Sequence, residues 1–169
     1  MNGRTMTPLA CLAIVAAAMQ LTLVATAAAS APTSVDETFH RSIPNFISCP
    51  GFTVRGEFDV SRTVTTFYDS NGSPIRQATH VHFTGTLTNN LSGKTIDDAG
   101  NQIVDTDLAD GTSAVIGRVR VVTIPGEGEI FAQVGRLVRD GAGNLIFSAG
   151  QQDGLTGNYG EFCTYMSTP

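Results

Sequence analysis

Apolar and polar residues alternate with a period of two after Gly51, and this alternation limits the fold more than any other feature of the sequence. Phe52, Val54, Phe58 and Val60 share one parity, whereas the positions between them are mostly polar or charged. A strand points successive side chains to opposite faces, so the pattern is typical of a half-buried strand. Turn signals rich in Gly, Asn and Asp separate further segments of this kind. The predicted strands are residues 52–60, 63–69, 75–88, 94–97, 102–107, 113–124, 129–139, 144–149 and 159–165.

About nine short strands without a long helical pattern indicate an all-β protein. The predicted connections are short, which favours an up-and-down meander over a Greek key. The chain has no Trp, whereas an immunoglobulin-type sandwich has a core Trp beside a central Cys pair. We therefore predict an antiparallel up-and-down β-barrel of about eight to nine strands, with a β-sandwich as the alternative.

The first 29 residues have the features of a signal peptide. Arg4 supplies a positive start, residues 9–24 are mostly apolar, and residues 25–29 are small with an A-x-A pattern. Cleavage is predicted after Ala29, and an uncleaved signal anchor is the alternative. The remaining chain divides into an N-terminal arm at residues 30–48 and a barrel domain at residues 49–169.

Residues 34–37 of the arm fit the pattern of a capping box. Ser34 and Glu37 have the spacing with which a helix start satisfies its free backbone N–H groups. Pro44 would end such a helix after one or two turns.

The charge of the mature chain excludes some classes of partner. Removal of the leader takes one of ten basic residues and none of fifteen acidic ones, so the net charge changes from −5 to −6. An acidic chain without basic clusters argues against binding to nucleic acid or to anionic membrane surfaces. After signal cleavage no second apolar run is long enough to span a bilayer, so no membrane association is predicted.

Cys49 and Cys163 are the cysteines that remain after the leader is removed. An even pair in a secreted chain predicts a disulfide, and two free thiols are the alternative. Because Cys49 precedes the first predicted strand and Cys163 lies in the last, the bond would clasp the barrel at its seam.

Short motifs bracket the β region. Cys49-Pro50-Gly51-Phe52 opens it, residues 87–89 read Leu-Thr-Asn, residues 93–95 read Gly-Lys-Thr, and Cys163 closes it after a Gly-rich hairpin. In these motifs the chain resembles uncharacterised secreted β-rich proteins of high-GC Gram-positive bacteria. The resemblance covers about residues 49–163 and implies secretion and a β fold. A remote architectural likeness is to the barrels of allene oxide cyclase and dirigent proteins.

No catalytic group of residues is identified in the sequence. His80 and His82 share one strand face, but no third metal ligand accompanies them, so no metal site and no cofactor are predicted. Together with Tyr68 they are the candidate ligand-binding residues.

The sequence favours a secreted, non-catalytic barrel that binds a small apolar ligand or an extracellular partner. One alternative is a cofactor-free isomerase or cyclase that uses His80, His82 or Tyr68. A second alternative is a protease inhibitor that presents residues 124–129 as a rigid loop.

Overall fold

Seven strands form one antiparallel sheet in which each strand pairs with the next one in sequence. The computed structural model describes residues 30–124, 126 and 128–168, so the predicted leader lies outside the described residues. The elements, in order, are β1 (Thr33–Cys49), β2 (Phe52–Tyr68), β3 (Pro74–Asn89), β4 (Thr95–Asp107), β5 (Ser113–Ile124), β6 (Gly128–Arg139), β7 (Leu145–Ala149), α1 (Asp153–Thr156) and α2 (Gly160–Ser167). The all-β class and the up-and-down meander are confirmed.

The sheet does not close, and the predicted barrel of eight to nine strands is wrong. Among the described residues β1 and β7 are the edges of the sheet and do not pair with each other. β7 is only five residues long and pairs with the last four residues of β6. Residues 30–168, as far as the structure describes them, form one sheet and not two, so the sandwich alternative is wrong as well.

The predicted last strand, residues 159–165, is helical. α2 buries Phe162, Cys163 and Met166. Phe162 and Met166 are four residues apart, so a helix places them on one face, where both are fully buried. The segment therefore packs onto the sheet and does not extend it.

The predicted helical arm is β1. Val35, Glu37 and Phe39 face one side of the sheet, and the residues between them face the other, as their pairing with β2 requires. Pro44 lies in a register irregularity between Ile43 and Ile47 of this edge strand, where a missing N–H is tolerated. Ser34 bonds across to Thr65 and does not cap a helix.

The predicted turn at residues 98–101 lies inside β4, which pairs with β3 without interruption. The Asp98 side chain is buried against Arg120 of β5, and Gly100 lies against the ring of Phe83. Asp and Gly are common in turns, but at these positions they contribute to packing inside a strand.

The sheet is strongly coiled. The Arg120 guanidinium carbon lies 4.3 Å from the centre of the Phe46 ring, although these residues belong to β5 and β1. Four strand spacings on a flat sheet span about 19 Å. The sheet must therefore curve until its first strand approaches its fifth, and we call the inner side the concave face and the outer side the convex face.

A line of glycines crosses the sheet where it bends. A side chain at Gly85 would lie 2.2 Å from the Glu57 carbonyl oxygen, and one at Gly100 would lie 2.2 Å from that of Val119. Gly117 and Gly135 also have φ angles of 125° and 128°, which L side chains rarely adopt. Each strand from β2 to β6 contributes one glycine to this line: Gly56, Gly85, Gly100, Gly117 and Gly135.

The two helices cover only part of the concave face. The core contains Phe162, Cys163 and Met166 of α2 packed on buried side chains of the sheet, namely Ile47, Val54, Phe58, Phe83, Leu87, Val122 and Phe131. We call this part the covered half. The open half lies at the end where β1 begins and β2 ends. In the described part of the chain, no helix is both long and apolar enough to cross a membrane.

Candidate ligand-binding surface

The disulfide joins Cys49 to Cys163 with a Cα–Cα distance of 5.6 Å, as predicted. It links the end of β1 to α2, so the predicted clasp between first and last strands is wrong. Instead the bond holds the helix over the covered half of the concave face. A disulfide is consistent with an extracellular protein.

His80 and His82 are exposed on the convex face, and neither is among the residues that line the five main cavities of the described part of the chain. Tyr68 lies at the open end of β2, where its hydroxyl is 2.8 Å from that of Thr33. The structure does not bring these three residues together around one cavity, and their role in ligand binding stays a prediction.

A cavity of about 260 Å³ lies on the concave face, beside the helix-covered core. Its walls are mainly aromatic and aliphatic, and four polar side chains enter it. We call it the concave cavity; its lining consists of Phe39, Arg41, Ile43, Phe46, Phe58, Val60, Arg62, Val81, Phe83, Gln102 and Arg120.

The polar side chains of the concave cavity differ in whether they already have an ion-pair or hydrogen-bond partner. Arg62 Nε donates to Glu37 Oε2 over 2.7 Å, and its guanidinium lies 5.4 Å from the centre of the Phe39 ring. Arg41 makes no ion pair with any described residue. No described donor reaches the buried Oε1 atom of Gln102. The concave cavity therefore offers a ligand two polar groups among apolar walls: the Arg41 cation and the Gln102 Oε1 acceptor, neither of which has a described partner of this kind.

Arg120, which lines the concave cavity, belongs to a buried ion pair. Arg120 Nε lies 2.5 Å from Asp98 Oδ2, and the Asp98 side chain is fully buried. Burial raises the pKa of Asp98 and lowers the pKa of Arg120, and in both cases the charge of the partner opposes the shift. Burial therefore disfavours both charges, and the attraction between the two groups works against it.

Three phenylalanines surround the Arg120 guanidinium. Its central carbon lies 4.3 Å from the ring centre of Phe46 and 5.4 Å from those of Phe58 and Phe83. Phe58 packs edge-to-face on both other rings, at 5.3 and 5.5 Å. Cation–π contacts of this kind are strongest where water is excluded. The cluster is therefore a rigid, largely apolar surface that carries one neutralised cation.

A second cavity of about 270 Å³ adjoins the concave cavity and shares Phe46 and Arg120 with it. Gln133, Leu137 and Arg139 of β6 form one side of it, and Leu155 of α1 and Tyr159 are among its other lining residues. The two cavities therefore lie side by side on the concave face, and the second one extends toward β6.

The convex face carries a charged cluster at the middle of β1 and β2. His40 Nδ1 lies 3.0 Å from Asp59 Oδ1, and His40 Nε2 lies 3.0 Å from Glu57 Oε2. Hydrogen bonds to Asp59 and then to Glu57 raise the pKa of His40 above its ordinary value of 6.5. Ser42 donates to Glu57 over 2.7 Å and contributes most to the lowered pKa of that carboxyl. The group is solvent-exposed, which is typical of surface charge and not of an acid–base pair.

Sequence reasoning missed the residues of the concave cavity for an identifiable reason. The parity of residues 113–124 puts Arg120 on the same face as Arg118, opposite the valines. A register irregularity between Arg118 and Arg120 moves Arg120 to the concave face. A bulge of this kind breaks the alternation without leaving a clear sequence signal.

These features define the class of protein that the fold and site support: an open, coiled β-meander with a mainly apolar cavity on its concave face and two helices over one half. Comparisons of this chain with family models, with curated proteins and with solved structures found no match.

Proposed function

We propose that this chain is a secreted, non-catalytic protein that binds a small, mainly apolar ligand in the concave cavity. The observation that carries the proposal is the concave cavity itself, in which seven apolar side chains surround a few convergent polar groups. Mainly apolar walls with few oriented polar groups are the usual composition of ligand sites. The signal-peptide pattern and the disulfide support the extracellular location.

The size and polar groups of the cavity limit the ligand. A volume of about 260 Å³ is just below the usual range, which begins at about 300 Å³. A single ring or a short acyl chain is therefore the appropriate apolar part. Arg41 would pair with a carboxylate at the rim, because it has no described ion-pair partner. We thus propose a small amphipathic carboxylate.

The two alternatives from the sequence have less support. An isomerase or cyclase would need His80, His82 or Tyr68 at a cavity, and none of them lines the concave cavity. The proposed inhibitory loop at residues 124–129 lies partly outside the described residues, so it stays a prediction. An extracellular protein partner remains compatible with the exposed surfaces.

Native mass spectrometry tests the ligand proposal with octanoate and phenylacetate as probes. Val81 lines the concave cavity, so Val81→Trp should fill it and abolish adduct formation. Ile116 is 41% exposed on the convex face, so Ile116→Trp is the matched control and should bind like the parent protein. Absence of adducts with the parent protein, or equal adducts with both variants, contradicts the proposal.

A further inference from the structure

β4 and β5 separate along half of their length. They pair only from Asn101 opposite Arg118 to Thr106 opposite Ser113. Residues 95–100 of β4 pair with β3, and residues 120–124 of β5 pair with β6, but these two segments do not pair with each other. The backbones still touch at Gly100 and Val119, so we call the opening between residues 95–99 and 120–124 the fork.

Backbone groups on the β4 side point into the fork. The Asn101 carbonyl oxygen lies 2.8 Å from the position of a Cβ on Gly117, so Asn101 faces β5. Alternate residues of a strand direct their N–H and C=O groups the same way. Ala99 and Asp97 therefore face β5 as well, where no described residue of that strand pairs with them.

Backbone groups on the β5 side point into the fork from the opposite direction. Ala132 of β6 is opposite Val121, and its N–H donates to Asp153 Oδ2 over 2.7 Å, away from β5. The two residues are therefore a non-hydrogen-bonded pair, and Val121 turns its own N–H and C=O toward β4. Two facing strand edges thus present hydrogen-bonding groups to the same space, and one of them, the Ala99 N–H, also bonds to the Asp98 carboxyl.

The fork opens on the convex face as a cavity of about 860 Å³. The ion pair of Asp98 and Arg120 joins the two strands on the concave side, and the buried side chains of Val122 and Ile124 lie beside it. The fork is therefore a slot with an intact floor. Its lining residues are Asp59, Thr84, Gly85, Thr86, Ile96, Asp97, Asp98, Ala99, Arg118, Val121, Thr123 and Ile124.

We propose that the fork binds an extended peptide segment of a partner protein, which adds as a strand to the free edges of β4 and β5. Free strand edges are the standard template for such pairing. On the solvent side Asp59 and Asp97 face Arg118, and Asp98 is neutralised by Arg120. Asp59 shares His40 with Glu57, so the carboxylates on this side still outnumber the cations. The side chains that point toward the floor meet Ile96 and Ile124. The matching peptide alternates basic and aliphatic residues.

The fork is on the opposite face of the sheet from the concave cavity. The peptide proposal can therefore be tested independently of the ligand proposal. The probe is an acetylated and amidated hexapeptide of alternating Lys and Val, and its binding is measured by calorimetry and NMR. The amides of Asp97, Ala99 and Val121 should become protected from hydrogen exchange when it binds. The same peptide with N-methylated backbone amides should not bind, because strand addition needs those donors.

Two variants separate backbone pairing from charge. Ala99→Pro removes an N–H that faces the fork and none that pairs with β3, so binding should weaken roughly two- to tenfold. Asp97→Asn should weaken binding roughly two- to fivefold. Asp36→Asn, an exposed change at the open end of β1, is the matched charge control and should leave binding unchanged. Thermal unfolding and the spectrum of each variant check that it is folded.

Three results would overturn the proposal. One is equal binding of the N-methylated peptide, and another is unprotected fork amides in the complex. The third is a concentration-dependent dimer in sedimentation that the peptide does not dissociate but Ala99→Pro does, since a second copy of the chain would then occupy the fork.

Discussion

Val54 and Val64 lie on the same strand and the same concave face, yet their surroundings differ. Val54 is fully buried among the core residues of the covered half, whereas Val64 is only partly buried in the open half. In the open half Val64 is opposite Val35, which is 57% exposed. The backbone ladder is continuous along both halves. The difference shows that strand pairing forms the sheet, but the two helices decide where it has a core.

The largest expected effect comes from releasing α2 from the covered half. The double variant Cys49→Ala/Cys163→Ala should lose about 4–5 kcal/mol of unfolding free energy, because the disulfide closes a loop across a sequence separation of 114 residues. Urea unfolding measures the loss. Reduced parent protein is the control and should match the double variant. Equal stability of oxidised parent and double variant would contradict the loop-closure contribution of the bond.

The ion pair of Asp98 and Arg120 should have the next largest effect. Arg120→Met should cost about 3–5 kcal/mol at neutral pH, because it leaves the buried Asp98 carboxylate without its partner. Asp98→Asn combined with Arg120→Met should recover much of this loss, as urea unfolding can show.

The stability loss in Arg120→Met should depend on pH, and its direction follows from the pKa of Asp98. Burial raises the pKa of Asp98, so the carboxyl takes up a proton more readily in the folded protein than in the unfolded chain. The loss in Arg120→Met should therefore shrink as the pH falls toward the acid range. A loss that is independent of pH would mean that Asp98 is neutral or solvated.

The same substitution, Val→Ala, at Val54 and at Val64 tests the difference between the covered half and the open half. Val54→Ala should cost about 2 kcal/mol, because it removes buried apolar groups from a packed core. Val64→Ala should cost less than about 1 kcal/mol, since much of its surface is already hydrated. Urea unfolding of both variants gives the difference. Equal losses would show that the open half is covered in solution, for example by a ligand or a second chain.

The smallest effect is expected on the convex face. The NMR-monitored pKa of His40 should lie above 6.5 and should fall in Asp59→Asn, which removes the largest cause of the shift. Any stability from this contact is present below pH 6.5 and is lost as the pH rises through the folded pKa. Asp36→Asn is the control and should leave the titration of His40 unchanged. An unchanged pKa in Asp59→Asn would contradict the hydrogen bond.

Local pattern predicted the strands well where pairing is regular. The turns at residues 69–74, 89–93 and 140–143 connect the predicted hairpins, because Gly, Asn and Asp accept the backbone angles of tight turns. The disulfide was also predictable, since compartment and cysteine count restrict it to one pair.

Three features could not be predicted from local sequence patterns. α2 needs only Phe162, Cys163 and Met166 on one face, and a segment this short fits a strand or a helix equally well. Whether the sheet is open depends on whether its two edge strands, β1 and β7, meet. No short-range sequence pattern specifies this. The position of Arg120 depends on a bulge, and its partner Asp98 resembles a turn residue in sequence.

The order in which the chain can fold follows from the meander. Each strand needs only its predecessor, so six hairpins can form by short-range contacts, and low contact order favours rapid folding. The bond between Cys49 and Cys163 is different, because it requires residues separated by 114 positions to meet. The thiols come together only when the sheet has coiled and α2 has docked. Oxidation of this pair in its native geometry therefore marks the completion of the fold.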